Sequence, residues 1–154
     1  MKCGENLNPL YPGNFGLVIE SDKFEHVEYF CQQAAIPTLS FTPDSPMYKN
    51  YEHYVAGDTI RYSPFNIQFV VDEDMQNYLE MFNWFKRIQD GDDINNEIHD
   101  GVLLIYTNKG KLNKTIRFKG LMPQIMGELM FSTQESDSPI TCNVDFAYTG
   151  FEFE

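Results

Sequence analysis

Apolar and polar residues alternate along most of this chain, and the alternation predicts strands. Phe15, Leu17 and Ile19 share one face of a segment running from Asn14 to Glu20, the period-two signature of a strand. After a turn-like Ser21-Asp22-Lys23, Val27, Tyr29 and Cys31 alternate with Glu28, Phe30 and Gln32. A second strand and a hairpin are therefore expected. Phe65, Ile67, Phe69 and Val71 alternate with Asn66, Gln68 and Val70. Val102, Leu104 and Tyr106, interleaved with Leu103 and Ile105, read as a mostly buried strand. Its hairpin partner follows the turn Asn108-Lys109-Gly110-Lys111, contains Ile116 and Phe118, and is interrupted by Gly120 and Pro123. Gly127 to Thr133 reads as another strand and Gln134 to Pro139 as a turn. Ile140, Cys142, Val144, Phe146 and Tyr148 alternate strictly with Thr141, Asn143, Asp145 and Ala147, giving a last, half-buried strand.

The period changes once. Met75, Tyr78, Leu79, Phe82, Phe85 and Ile88 recur at steps of three and four, which predicts an amphipathic helix over 73–89. Asp72 can cap it, Glu73 and Asp74 suit the positive end of its dipole, and Lys86 and Arg87 suit the negative end. Gly91 can end it. Its apolar face has to cover something, and a sheet is the only element of matching size. The expected fold is mainly β: an antiparallel β-sandwich or curved barrel with one packed α-helix. Residues 1–13, with Pro9 and Pro12, read as an N-terminal arm, 14–150 as a single domain, and 151–154 as a C-terminal tail. Within the domain, 33–65 is least regular. Pro37, Pro43, Pro46 and Pro64 break it, and an extended loop over 40–58 carries Tyr48, Tyr51 and Tyr54 and ends in the turn Ala56-Gly57-Asp58. Long loops in compact domains usually have a job. This one reads as a long hairpin with exposed tips, a lid, or a segment ordered by a neighbouring subunit.

Composition narrows the function. The 154 residues suit one domain able to bury a core without disulfides or metal. Eleven Lys and Arg against 23 Asp and Glu leave a net charge of −12. That argues against a protein that wraps nucleic acid or adheres to anionic membrane. No apolar run is long enough to span a bilayer, so no membrane anchor is expected. The start, Met1-Lys2-Cys3-Gly4-Glu5-Asn6, lacks the apolar core of a signal peptide, which suggests synthesis and folding in cytoplasm. Cys3, Cys31 and Cys142 form no disulfide framework and read as reduced thiols. His26, His53 and His99 have no metal-ligand spacing. Asp90-Gly91-Asp92-Asp93 places Ile94 and Asn95 where a calcium loop needs an oxygen ligand and a glycine. No Gly-rich phosphate cradle and no acid–base pair stand out. The expectation is no enzyme, no cofactor and no metal.

Thirteen Phe, nine Tyr and one Trp make 15% of the chain. Such aromatic content in a highly charged domain points to assembly. Charges also segregate. Lys109, Lys111, Lys114, Arg117 and Lys119 lie together without an acidic residue among them, while Asp90, Asp92, Asp93, Glu97 and Asp100 cluster before them. From Glu128 to Glu154 there are six carboxylates and no Lys or Arg. These are either ordinary solvated faces or acidic and basic patches that meet on neighbouring copies.

Taken together, the pattern resembles the tail tube proteins of contractile-tailed, T-even-like bacteriophages. The resemblance is carried by Ala34-Ala35-Ile36-Pro37, by Tyr54-Val55-Ala56-Gly57-Asp58, and by the strand from Phe65 leading to Phe82, Trp84 and Phe85. It continues through Phe118-Lys119-Gly120-Leu121-Met122-Pro123, Met126-Gly127-Glu128-Leu129 and the closing strand Ile140–Tyr148. These segments come in family order over residues 14–150. The resemblance implies hexameric rings, with each subunit giving strands to a barrel around a channel and its helix packed outside the sheet. It implies rings stacked into a virion tail tube inside a contractile sheath, bridged by the loop 40–58. Implied partners are further copies of the chain, the tail sheath protein, baseplate proteins that initiate the tube, and a tape measure protein in the lumen. DNA would pass through a negative lumen as cargo without specific binding, since phosphate is repelled there. The implied assembly-interface candidates are Tyr48, Tyr51, Tyr54, Asp58, Lys119 and Glu128. Two alternatives remain: the inner tube protein of a bacterial contractile secretion or injection system, and a ligand-binding β-barrel or minor enzyme acting as a monomer, with a small closed cavity and no ring.

Overall fold

The computed structural model describes residues 8–41, 47–48, 51–52, 59–91, 93–134 and 137–154. The elements are β1 (Phe15–Ile19), α1 (Glu25–Phe30), β2 (Cys31–Ala35), β3 (Leu39–Phe41), β4 (Met47–Tyr48), β5 (Tyr51–Glu52) and β6 (Ile60–Tyr62). They continue with β7 (Phe65–Val70), α2 (Gln76–Asp90), a 3-10 turn (Ile94–Glu97), β8 (His99–Tyr106), β9 (Leu112–Met126), β10 (Thr141–Ala147) and β11 (Gly150–Phe153). Seven strands form one antiparallel sheet: six follow the path β1-β8-β9-β10-β7-β2, and β11 pairs with β9 off that path. The expected mainly β sandwich with one principal packed helix is the fold observed.

β9 is the strand that makes this a sandwich. Its first part pairs with β8 on one edge and β11 on the other, while Met122–Met126 pair with β10. The sheet therefore has two halves that share one strand. Phe65 from β7 stacks on Phe118 from β9 with ring centroids 4.1 Å apart, so the halves face each other across the core. Gly120 marks the change of partner. Its φ of +68° is left-handed, a region that glycine enters without steric penalty. A Cβ there would also lie 3.0 Å from Thr149 Oγ1. The expected interruption at Gly120 and Pro123 is thus a bend within one continuous strand. Pro123, which has no N–H to donate, sits opposite Phe146, where the β9–β10 register shifts.

Three further expectations are corrected. Val27, Tyr29 and Cys31 do not share a strand: residues 25–30 are helical, and β2 begins only at Cys31. Phe24 and Val27, three residues apart, are the buried pair. The amides at the start of α1 are taken by the Glu80 carboxylate of α2, which accepts from Val27 N at 3.2 Å and His26 N at 3.4 Å. Residues 127–133 form no strand: after Met126 only Gly127 N still bonds across, to Asn143 O at 2.7 Å. Residues 151–153, expected in a C-terminal tail, belong with Gly150 to β11, which pairs with the edge of β9.

The helix starts at Gln76, later than expected, with Met75 left-handed at φ 57°. Met75, not Asp72, is the N-cap residue, but the Asp72 carboxylate still accepts from the first helical amide, Gln76 N, at 2.7 Å. Its fully buried residues are Asn77, Met81 and Trp84; of the expected apolar series Tyr78 and Ile88 pack against the core, while Leu79 and Phe82 stand exposed. Asn77 can be buried because it donates to Val70 O at 2.6 Å and accepts from Tyr78 N at 2.8 Å. Trp84 packs on Phe24 at 4.5 Å and donates its indole N–H to Glu97 O at 2.7 Å. Burying Trp84 in this way makes α2 a lid on one side of the sandwich rather than a surface helix.

Gly120→Ala should destabilise the protein by about 1–2 kcal/mol, because alanine pays for the left-handed backbone. Chemical denaturation checks this, and an unchanged midpoint would rule out the bend as a point of strain. His26 titrates above its ordinary 6.5, chiefly through its 2.5 Å hydrogen bond to Glu80. A histidine raised on folding contributes stability below about pH 6.5 and loses that contribution as pH rises through the folded value. Amide exchange in α1, corrected for intrinsic rate, should be slower near pH 6 than near pH 8, and His26→Gln should abolish the difference. Equal protection at both pH values in the native protein would contradict this.

Candidate assembly surfaces

The strands β3 and β6 leave the sandwich as a separate two-stranded ribbon, paired Leu39↔Tyr62, Ser40↔Arg61 and Phe41↔Ile60. Residues directly opposite in an antiparallel pair share a face, so Leu39, Phe41, Ile60 and Tyr62 form one apolar side. Leu39 is 52% exposed, Phe41 54% and Ile60 41%. The ribbon is anchored at its base. Thr38 N donates to Ser63 Oγ at 2.8 Å, and Ser63 N donates to Thr38 O at 3.1 Å. Tyr148 Oη donates to Ser63 O at 2.7 Å. Burial pushes the Tyr148 hydroxyl up to about 12, so it keeps its proton and stays a donor. Tyr62 packs edge-on against Tyr148 and Phe151, which joins the ribbon's apolar side to the domain core.

The two sheet halves present contrasting outer faces. On the β2–β7–β10 half, Phe65, Ile67, Phe69, Cys142, Val144 and Phe146 point inward and are buried. The alternate positions carry the amides and hydroxyl of Gln33, Asn66, Gln68, Thr141 and Asn143, aligned across strands as Gln33↔Gln68 and Asn143↔Gln68, together with Ala35, Val70 and Ala147. Asp145 is the one charged residue in this set, and Asn66 Nδ2 donates to its Oδ1 at 2.6 Å. On the β8–β9–β11 half the outer face is ionic. Arg117 pairs with Glu20, Asp100 and Glu154, and Lys119 pairs with Glu152 at 2.8 Å. The expected free basic run is therefore partly neutralised within the subunit, and the C-terminal carboxylates Glu152 and Glu154 are compensated. Lys109, Lys111 and Lys114 near the β8–β9 turn are exposed. Such exposed ion pairs contribute little stability each. Their clearer effect is to spend these charges inside one chain.

The sequence candidates do not converge on one site. Tyr48 and Tyr51 pair through their backbones as the hairpin β4–β5. Tyr54 and Asp58 lie outside the described residues, as does His53. Lys119 is on the ionic face. Glu128 is exposed at the far end of the other half-sheet, beside Met130 and Phe131. Sequence reading missed the apolar ribbon side. Leu39, Phe41, Ile60 and Tyr62 show period-two spacing in two short pieces, but prolines surround them and their pairing is not local. Cys31 and Cys142 are held up to about 11 by burial, which makes them poor thiolates near neutral pH.

A family model described as phage tail tube protein matches residues 11–119. The chain belongs to the phage tail tube protein family. This is a structural family, so the chain is not an enzyme. Over 105 residues the chain is 25% identical to the tail tube terminator protein of Enterobacteria phage T4, a match covering 64% of this chain and 60% of that protein. The chain thus spans less than two thirds of that relative's length. Among solved structures, the fold is similar to a chain in the PVC sheath-tube complex of an extracellular contractile injection system, with TM-score 0.70 and 12% identity over 96% of this chain and 93% of that one. The sheath/tube terminator of the same system gives 0.70 at 14% identity over 99% of both chains. Hcp1 from Flavobacterium johnsoniae gives 0.58 at 13% identity over 91% and 94%. At these identities the tail tube family member shares their fold.

Tyr148→Phe should loosen the ribbon base at a cost of about 1–2 kcal/mol, because the Ser63 carbonyl loses its partner. Hydrogen exchange at residues 59–63 should quicken while that in β10 stays slow. Unchanged exchange at 59–63 would show that the anchor is not the tyrosine hydroxyl.

Proposed function

We propose that this protein is the structural subunit of the inner tail tube of a contractile particle. Hexameric rings of it stack into a conduit, with the loop 40–58 and its flanking ribbon bridging to the adjacent ring. The observation that carries the reading, alongside family membership, is the outer face of the β2–β7–β10 half. It is broad, amide-rich, and carries Asp145 with no Lys or Arg among its strand positions. A channel wall for a polyanion needs such a face, because cations would hold phosphate and stop it sliding. In this reading that face lines the lumen and DNA passes during ejection without being recognised. A tape measure protein occupies the same lumen before ejection. The sheath and the tube-initiating baseplate proteins are the outer and end partners, and the assembled location is the virion. An inner tube of a bacterial injection system uses the same surfaces with a different cargo.

A second reading is favoured by a specific observation: the T4 relative is named a tail tube terminator, and two solved neighbours come from structures of a sheath/tube terminator and a tube terminating cap. On this reading the protein would end a tube rather than extend it. Electron microscopy of purified protein, alone and with a matching baseplate, separates these roles. The tube reading expects six-membered rings and hollow tubes that lengthen with protein concentration. Single rings that sit on tube ends and halt their growth would replace it with the terminator reading. A protein that stays monomeric on its baseplate would refute both.

A further inference from the structure

Under the α2 lid lies a titratable group that the assembly readings do not use. His99 opens β8, and its ring centroid sits 5.4 Å from that of Trp84 and 5.7 Å from that of Phe24. Trp84 and Phe24 pack on each other at 4.5 Å, so the three rings form one cluster. The register partner of His99 on β9 is Leu121, buried and apolar. His99 Nε2 is itself buried and has no hydrogen-bond partner among the described residues. Buried polar atoms are nearly always bonded, so this one calls for an account.

The charges around it are already committed. Glu97 of the 3-10 turn accepts from Arg87 Nε of α2 at 2.8 Å and lies 3.9 Å from Nζ of Lys23, ahead of α1. Arg87 holds the Glu97 carboxyl below the usual range, so it stays ionised as pH falls. Asp100, next along β8, turns to Arg117 at 3.6 Å and to Gly120 N at 3.1 Å. His99 therefore has two cations and one engaged carboxylate around it. Burial is the largest influence on its imidazole, Glu97 works against burial, and Lys23 and Arg87 add to it, so His99 titrates below its ordinary 6.5. A neutral ring can rest with Nε2 unprotonated. A charged ring makes Nε2 a donor without an acceptor inside an aromatic cluster. Attraction of the ring faces for a cation offsets part of that cost.

We propose that His99 is an acid-sensitive latch under α2: while neutral it seats Trp84 and Phe24, and once protonated it loosens the C-terminal half of α2 and the 3-10 turn from the sandwich. Two bonds carry the effect. Trp84 Nε1 donates to Glu97 O at 2.7 Å and Arg87 Nε donates to Glu97 Oε2, which joins the later turns of α2 to the turn that leads into β8. A disturbance at His99 therefore reaches both elements together. His26 works in the opposite sense, because its bond to Glu80 in the first half of α2 strengthens on acidification. The lid is thus held at Glu80 and released beyond Trp84. An open state that frees the His99 imidazole binds a proton more readily than the closed one, so closure weakens as pH falls through 6.5. The latch belongs to the folded subunit and does not depend on the tube or terminator reading.

Trp84 is the only tryptophan in the chain, so its fluorescence reads this cluster directly. On acidification of the wild-type protein its emission should change with a midpoint below 6.5, the same midpoint at which the His99 imidazole titrates by NMR. Amide exchange in the later turns of α2 and at residues 95–97, corrected for intrinsic rate, should be faster near pH 5 than near pH 7. The gain should reach about tenfold for each unit by which the His99 midpoint lies below 6.5. Exchange in β7 and β10 should stay slow. His99→Phe should remove both the fluorescence transition and the faster exchange, and His26→Gln should keep both. The wild-type NMR titration and exchange decide the matter even if His99→Phe fails to fold. A His99 midpoint at or above 6.5 would overturn the latch. So would unchanged exchange in acid, quickening shared equally by β7 and β10, or a transition that persists in folded His99→Phe.

Discussion

One strand serving two sheet halves is the constraint on which the rest of this structure depends. β9 must change neighbours part-way along its length, and the stacked pair Phe65 and Phe118 holds the halves together where it does so. Gly120 supplies the left-handed backbone for the bend, and Pro123 sits where the ladder is already irregular. Everything functional hangs on that geometry. The β10–β11 edge follows β9 through the bend, Tyr148 at the corner reaches the ribbon base, and Phe151 closes the aromatic cluster that supports Tyr62.

The division of polar chemistry between the two outer faces follows from the same architecture. Charges on the β8–β9–β11 face find partners across strands: Arg117 alone gathers Glu20, Asp100 and Glu154 from three different elements. Amides on the other half align with one another, and Asp145 accepts from Asn66. Net charge of −12 is thus not spread evenly. Internal pairing neutralises Arg117 and Lys119 locally without changing that balance, and apolar residues stand exposed near both ends of β7.

Strand and helix types were legible wherever burial was one-sided. The alternation at 65–71 and 140–148 reads correctly because those strands bury one face and wet the other, so each residue's polarity reports its side. The reading fails where a distant group intervenes. At 25–30 the alternation is strand-like, but Glu80 from α2 takes the amides that open a helical turn. In α2 the apolar series is half right: Tyr78 and Ile88 pack against the core while Leu79 and Phe82 stand exposed, and Asn77, polar by type, is buried by virtue of its bonds to Val70 and Tyr78. The charge run at 109–119 reads as a free patch because its carboxylate partners come from sequence positions as remote as Glu20 and Glu154. Of the candidate assembly residues, Lys119 is placed on the paired face and Glu128 at the far end of the other half-sheet, which no local pattern indicates.

By itself the sequence determined the mainly β class, the single long helix, the acidic balance and the family pattern, because periodicity, composition and motif order are properties of the chain. The tertiary structure decided which residues meet: the shared strand and its bend, the short helix held by Glu80, the partly neutralised basic run, and the exposed apolar residues near opposite ends of β7. Those depend on pairing between segments far apart in the chain. The cost of closing the intervening loops, and the burial that repays it, exist only once the whole domain has folded.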